Sequence, residues 1–227
     1  MKYKFDFSSL LPYWPQFLHG AWLTLQMTIL ATVLGFVIGV FCAIGKRSAC
    51  LWLQRLCGAY VEAVRNTPFL VQIFIVYFGL SSIGLKIPTM VAAVLAMVIN
   101  MGAYATEIVR AGMDSIHSGQ IEAAECLGLS RRQIYWHIIL WPAVERVYPA
   151  LTGQFVLLML SSSVASQISA EELTAIANRV QSDTFRSLET YLTIAALYIA
   201  LAMLMKLAFW ILGQVVFTRR RVVGTPH

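Results

Sequence analysis

Five stretches of the chain stay apolar long enough to cross a bilayer, and the polar positions between them divide the remainder. AWLTLQMTILATVLGFVIGVFCAIG, residues 21–45, holds no charged side chain. A hydrocarbon core of roughly 30 Å takes about 20 residues at 1.5 Å each, so this run predicts a first span, and it is too long for the apolar part of a signal peptide. AYVEAVRNTPFLVQIFIVYFGL, residues 59–80, predicts a second. Glu62 and Arg65 lie near its start, and Pro68, which has no backbone donor, marks either a kink or the point where the lipid-buried part begins. IPTMVAAVLAMVINMGAYATEIV (87–109), YPALTGQFVLLMLSSSVASQI (148–168) and YLTIAALYIALAMLMKLAFWILGQVVF (191–217) supply the third, fourth and fifth, the fourth unusually rich in serine.

The connections differ in character. Residues 1–20 mix Lys2, Lys4, Asp6, Pro12 and Pro15 with aromatics, too broken for a span but suited to an amphipathic segment among lipid headgroups. KRSACLWLQR is a basic connection, SSIGLKIP a short turn region, and a polar segment runs from about 113 to 146. Residues 169–188 read as an aqueous loop with a short helix through EELTAIANRV, and 218–227 as a basic tail opened by Arg219, Arg220 and Arg221. The fold class expected is an all-α membrane protein with five transmembrane helices over 21–217 and termini on opposite sides.

Composition agrees: 59% of the 227 residues are hydrophobic and 12% are charged, against about a quarter charged in soluble domains. The length leaves no room for a large separate soluble domain. A net charge of +6 names no nucleic-acid partner here, because basic residues of a membrane protein mainly report which loops stay in the cytosol. With the carboxyl terminus inside, the cytosol receives Lys46, Arg47, Arg55, Arg110, Arg131, Arg132, Arg146 and the arginine triplet, with Arg65 at the edge. The opposite face keeps Lys2, Lys4, Lys86, Arg179 and Arg186. The amino terminus is therefore expected outside. Cys42, Cys50, Cys57 and Cys126 lack metal-ligand spacing and lie in spans or on the cytosolic side, so free thiols are expected.

The chemistry worth following lies in EAAECLGLSRRQIYWHIILWP, residues 122–142. EAAEC is helix-forming and stops at Gly128, where a left-handed cap costs a glycine little. Ser130 with Gln133 has capping-box spacing and opens a second helix expected to end before Pro142. The product is a tight elbow between two short helices. A DNA-binding helix-turn-helix has a similar turn, but the flanking spans hold this one against the membrane; a loop packed under its own bundle and a docking element gripped by a partner both remain.

Glu122, Ala123 and Ala124, then Gly128, then Ile138, Ile139, Leu140 and Pro142 resemble the EAA signature of bacterial ATP-binding-cassette (ABC) importer permeases, with Trp141 inserted before the proline. RNTPFLVQIFIVYFGL (65–80), NMGAYATEIVRAGMDSIHSGQIEAA (100–124) and TFRSLETYLTIAALY (184–198) are similar to further signatures of the polar-amino-acid permease group, the histidine, glutamate, glutamine and arginine type. The resemblance implies a type I importer permease in the bacterial cytoplasmic (inner) membrane, with the elbow as cytosolic coupling helix-turn-helix. It implies three partners: an ATPase dimer, a second permease subunit forming a homo- or heterodimer, and an extracytoplasmic amino-acid-binding protein. Glu122, Ala123, Ala124, Gly128, Ser130, Arg131 and Arg132 become the ATPase-coupling candidates.

The chain itself lacks the phosphate-cradling G-x-x-x-x-G-K-[ST] spacing, since Gly39, Gly45 and Lys46 are one residue too long and lie in a span. ATP and Mg are thus expected on the partner, with no cofactor, metal or catalytic residue in this chain. Family members often carry a lysine-aspartate pair in the fourth span where Met159 and Leu160 stand here, so substrate handling falls either to a different partner permease or to the neutral groups Asn100, Tyr104, Gln154, Ser161 and Ser162. Glu107 and Arg110, three apart, predict an ion pair. Lys206, deep in the last span, predicts a partner or cavity, with an interhelical role favoured. Two other classes compete: an ion-coupled secondary carrier, which usually has more spans, and a non-transporting membrane scaffold.

Overall fold

A computed structural model describes residues 4–217, and the basic tail expected at 218–227 lies outside them, as does Lys2. After a 3₁₀ turn at Ser8–Tyr13, the described residues form α1 (Trp14–Lys46), α2 (Leu51–Arg65), α3 (Phe69–Ser82), α4 (Thr89–Asp114), α5 (Ser118–Cys126), α6 (Arg131–Gln133), a π-helical stretch (Ile134–Leu140), α7 (Trp141–Ser161), a 3₁₀ stretch (Ser162–Ile168), α8 (Leu173–Thr184) and α9 (Ser187–Val216). Four helical segments are long and apolar enough to cross a membrane, and the bent pair α2–α3 raises this to five.

α1 against α4 is the central packing. Its contact face is made of small residues: a Cβ on Gly35 would meet Met101 Cβ at 2.6 Å, and one on Gly39 would collide with Ala105. With no hydrophobic gain available between helices in lipid, such close approach supplies dispersion contact instead. Ala92, Ala93, Ala96, Met97 and Met101 of α4 are fully buried, and α7 packs on the same helix through Leu151, Leu158 and Met159. α9 lies outermost, with few buried side chains.

Several features depart from the sequence expectations or sharpen them. α1 starts at Trp14, seven positions ahead of the expected first span, because Pro15 sits in the opening turn, where no backbone donor is needed. The basic connection is helical from Leu51 onward, and at Pro68, where a kink or the start of the lipid-buried part is expected, two helices meet at 110°.

Pro142 does not end the helix of the elbow, which was expected to stop there. The chain passes through the π-helical stretch into α7 with Pro142 in its opening turn, and this wider winding spares the proline ring the carbonyl clash of a regular helix. Finally, the short helix expected within 169–188 is α8, and it is packed against the bundle rather than free. Leu173, Ile176, Ala177 and Val180 recur at helical spacing and bury against Leu10, Phe17, Ala21 and Ile194.

Glu172 opens α8 as its cap, accepting the Ala175 N–H at 2.8 Å and the Tyr198 hydroxyl at 2.7 Å. It is fully buried, and burial pushes its carboxyl above the ordinary 4.5. A carboxyl raised on folding contributes stability that is complete below the unfolded value and is lost as pH rises through the folded one. Glu172→Gln should therefore flatten the fall in stability from about pH 4.5 upward, read as the wild-type-minus-variant difference in thermal midpoint across a pH series. Gly39→Val should cost about 1–3 kcal/mol by overpacking, while Gly58→Ala, where a Cβ meets nothing, should be neutral or slightly stabilising. Thermal unfolding of the purified protein in detergent checks both.

Candidate functional site

The elbow is built by two reciprocal end-caps. Gly128 adopts φ +76°, the Leu129 N–H bonds the Ala124 carbonyl at 3.1 Å, and the Gly128 N–H bonds the Glu125 carbonyl at 2.9 Å. This is a Schellman closure of α5. Two residues on, the Gln133 N–H reaches Ser130 Oγ at 3.4 Å while the Ser130 N–H reaches Gln133 Oε1 at 2.9 Å, the capping box expected from the sequence. Only two residues separate one cap from the other, so the angle between the helices is fixed locally.

What the elbow presents is equally specific. Glu122, Ala123, Gly128, Ser130, Arg131 and Arg132 are exposed, whereas Ala124 is buried and anchors the turn to the bundle. Sequence reasoning missed Leu127, which stands 81% exposed at the tip, and Trp136, half exposed on the π-helical stretch that follows. Neither is covered by its own chain.

The five pathway candidates divide. Asn100, Tyr104, Gln154 and Ser161 line one cleft of about 520 Å³, together with the α2–α3 break and Leu157. Ser162 does not join them; it is buried and donates to the Met159 carbonyl at 2.6 Å. Two residues missed in the sequence shape the cleft. Gln72 is buried, and its Nε2 donates to the Val64 carbonyl at 2.7 Å and the Thr67 carbonyl at 2.8 Å. Val64 is the carbonyl that an N–H at position 68 would have taken in a continuous helix, so Gln72 replaces the donor that Pro68 lacks. Its Oε1 in turn accepts from Asn100 Nδ2 at 3.0 Å, which orients Asn100 at the cleft wall.

The second is Arg65, on the cleft wall with its guanidinium 5.6 Å from the Tyr104 ring centroid. Beneath it, Glu107 takes Lys46 at 2.6 Å and Arg110 at 2.8 Å, with Arg65 at 3.9 Å, and Asp114 takes Arg47 and Arg110. The expected Glu107–Arg110 pair is thus part of a network joining α1, α2 and α4. Arg146 adds a bond from α7 to the Ser115 carbonyl at 2.7 Å.

Lys206 faces outward in a groove between α7 and α9 of about 350 Å³, flanked by Tyr148, Trp210 and Gln214. The interhelical role favoured for it is not one that the described helices supply. All four cysteines are free, and among the described residues no group of three or more His, Cys, Asp or Glu side chains is placed to hold a metal.

Residues 35–221 match the family described as "Binding-protein-dependent transport system inner membrane component". The chain belongs to that family. It is 32% identical to the octopine transport system permease protein of Rhizobium radiobacter over 90% of this chain and 87% of that one. To the probable glutamine ABC transporter permease protein of Bacillus subtilis it is 35% identical, covering 82% and 86%. A crystal structure of an amino acid ABC transporter with histidines superposes with TM-score 0.86 at 34% identity, over 94% of this chain and 100% of that one. An inward-facing methionine ABC transporter, at 22% identity and TM-score 0.75 over 91% of this chain and 98% of its own, shares the fold.

The architecture is that of a type I ABC importer permease, a multi-pass inner-membrane component that is not itself the ATPase. Glu107→Gln in this permease should cost about 1.5–3 kcal/mol, the scale of a lost charge-assisted hydrogen bond, because it leaves Lys46 and Arg110 without their shared carboxylate. The thermal midpoint of the purified protein measures it.

Proposed function

We propose that the chain is one of two permease subunits of an amino-acid importer, driven by ATP and Mg on a separate ATPase dimer and supplied by an extracytoplasmic binding protein. The elbow of α5 and α6 is the coupling element, with Glu122, Ala123, Ala124, Gly128, Ser130, Arg131 and Arg132 forming or carrying the contact. Asn100, Tyr104, Gln154 and Ser161 belong to the substrate pathway. The amino terminus lies outside and the carboxyl terminus in the cytosol.

The observation that carries the coupling role is a rigid elbow whose tip leaves Leu127 bare to solvent between Glu122 and Arg131. Lys46, Arg47, Arg110 and Arg146 gather at the same end of the bundle, which supports placing that end in the cytosol. The names of the relatives support an amino-acid substrate. Membership of a binding-protein-dependent family favours this reading over an ion-coupled carrier or a passive scaffold.

Gly128→Asp is the test of coupling. A Cβ there meets no neighbour, so the bundle should insert in the membrane at wild-type level, while the positive φ strains the turn by about 1 kcal/mol and a charge is placed at the contact. Binding-protein-stimulated ATP hydrolysis and uptake in proteoliposomes should both fall to near background. Normal ATP-driven uptake would remove the mechanical role assigned to the elbow.

A further inference from the structure

The cleft has a charge inventory that points to one end of its substrate. Among the described residues Arg65 is the single charged side chain on its wall; Asn66, Asn100, Tyr104, Gln154 and Ser161 are neutral. The ion-pair partner of Arg65, Glu107, is already held by Lys46 and Arg110 at shorter distances than the 3.9 Å to Arg65. Over the whole network four cations, Lys46, Arg47, Arg65 and Arg110, face two carboxylates, Glu107 and Asp114. Glu62 is engaged with Asn66 and does not line the cleft. On α7, Met159 is buried, and Leu160, 42% exposed, is not among the lining residues.

Among the described residues the charge that reaches the cleft wall is therefore positive, and Arg65 carries it. Tyr104 braces the guanidinium, and the Arg65 side chain is 43% exposed. A guanidinium fork binds a carboxylate through two parallel hydrogen bonds.

Resting on the amino-acid importer reading, we propose that Arg65 receives the carboxylate of the passing substrate, and that this subunit's half of the pathway is built for neutral and acidic amino acids rather than cationic ones. Gln154, which has no hydrogen-bond partner among the described residues, stands on the same wall as a neutral group for the rest of the molecule.

The test uses the complete transporter, this chain with its partner permease and ATPase, purified without the binding protein so that the cleft alone is read. Equilibrium binding of radiolabelled glutamine, glutamate and lysine, and competition by the α-amide of glutamine, are measured for wild type, R65Q and R65K. Wild type should hold glutamine and glutamate about tenfold or more tighter than lysine and the α-amide, the scale of one charge-assisted hydrogen bond. R65Q should erase the preference for carboxylate over amide, and R65K should restore it only in part because an ammonium lacks the fork. Loss of overall stability would weaken all ligands together and leave that ratio unchanged. Equal ratios in R65Q and wild type, no measurable binding by wild type, or lysine bound as tightly as glutamine, would overturn the proposal while ATP-driven uptake of any amino acid continued. If the reconstituted wild-type transporter moved no amino acid at all, the importer reading itself would fall.

Discussion

A polypeptide that breaks its helix inside a bilayer must find internal partners for every backbone group it frees, because hydrocarbon offers none. Here the requirement falls on the turn between α2 and α3, where the chain swings through 110°. Pro68 takes away one donor, and the buried amide of Gln72 supplies its replacement to Val64 and Thr67. The same amide accepts from Asn100 of α4. One side chain thus holds the break open, ties it to the central helix and sets the wall of the cleft. Tyr60 adds a second tie, donating to the Ile99 carbonyl at 2.6 Å.

The rest of the bundle can be simple because α1 and α4 come so close. Glycines at 35 and 39 remove the side chains that would separate them, and Gly102 does the same beneath the Tyr60 hydroxyl. Close approach brings Lys46 at the end of α1 within 2.6 Å of Glu107 on α4, so the charge network is a consequence of the packing rather than an addition to it. A network built this way reports the register of three helices at once. Sliding α1 by one turn would move Lys46 by about 5.4 Å and break it.

Much of this was legible in the sequence, and the failures share a cause. Uninterrupted apolar runs located the spans, and the elbow was readable because Gly128, Ser130 and Gln133 act through local hydrogen bonds only. Asn100, Tyr104, Gln154 and Ser161 were chosen as polar groups in apolar helices, and the cleft joins them. Ser162 looks identical by that criterion, yet it faces inward and satisfies itself on the Met159 carbonyl, a difference of helical phase that composition does not carry. Gln72 and Arg65 were missed because their roles depend on a 110° turn whose size a single proline does not specify. Pro142 was overread as a stop: a proline ends a regular helix, but a π-helical stretch ahead of it carries the chain through.

The helix that lines the cleft, α4, is joined to the elbow by the short connection 115–117. α4 carries Asn100 and Tyr104 on the cleft wall, then Glu107 and Arg110 in the charge network, and ends at Asp114 just before α5 begins. On the return side the helix that leaves the elbow becomes α7, which carries Gln154 and Ser161 back to the same cleft. The two limbs are clamped where Gly112 of α4 sits against Ala143 and Val147 of α7, with Arg146 bonded to the Ser115 carbonyl. On the proposed coupling role, a force applied at the elbow enters the bundle through buried Ala124 and through that clamp. The α2–α3 break is tied into the same frame, through Gln72 to Asn100 and through Tyr60 to the Ile99 carbonyl, so the wall that carries Arg65 is held to α4 as well.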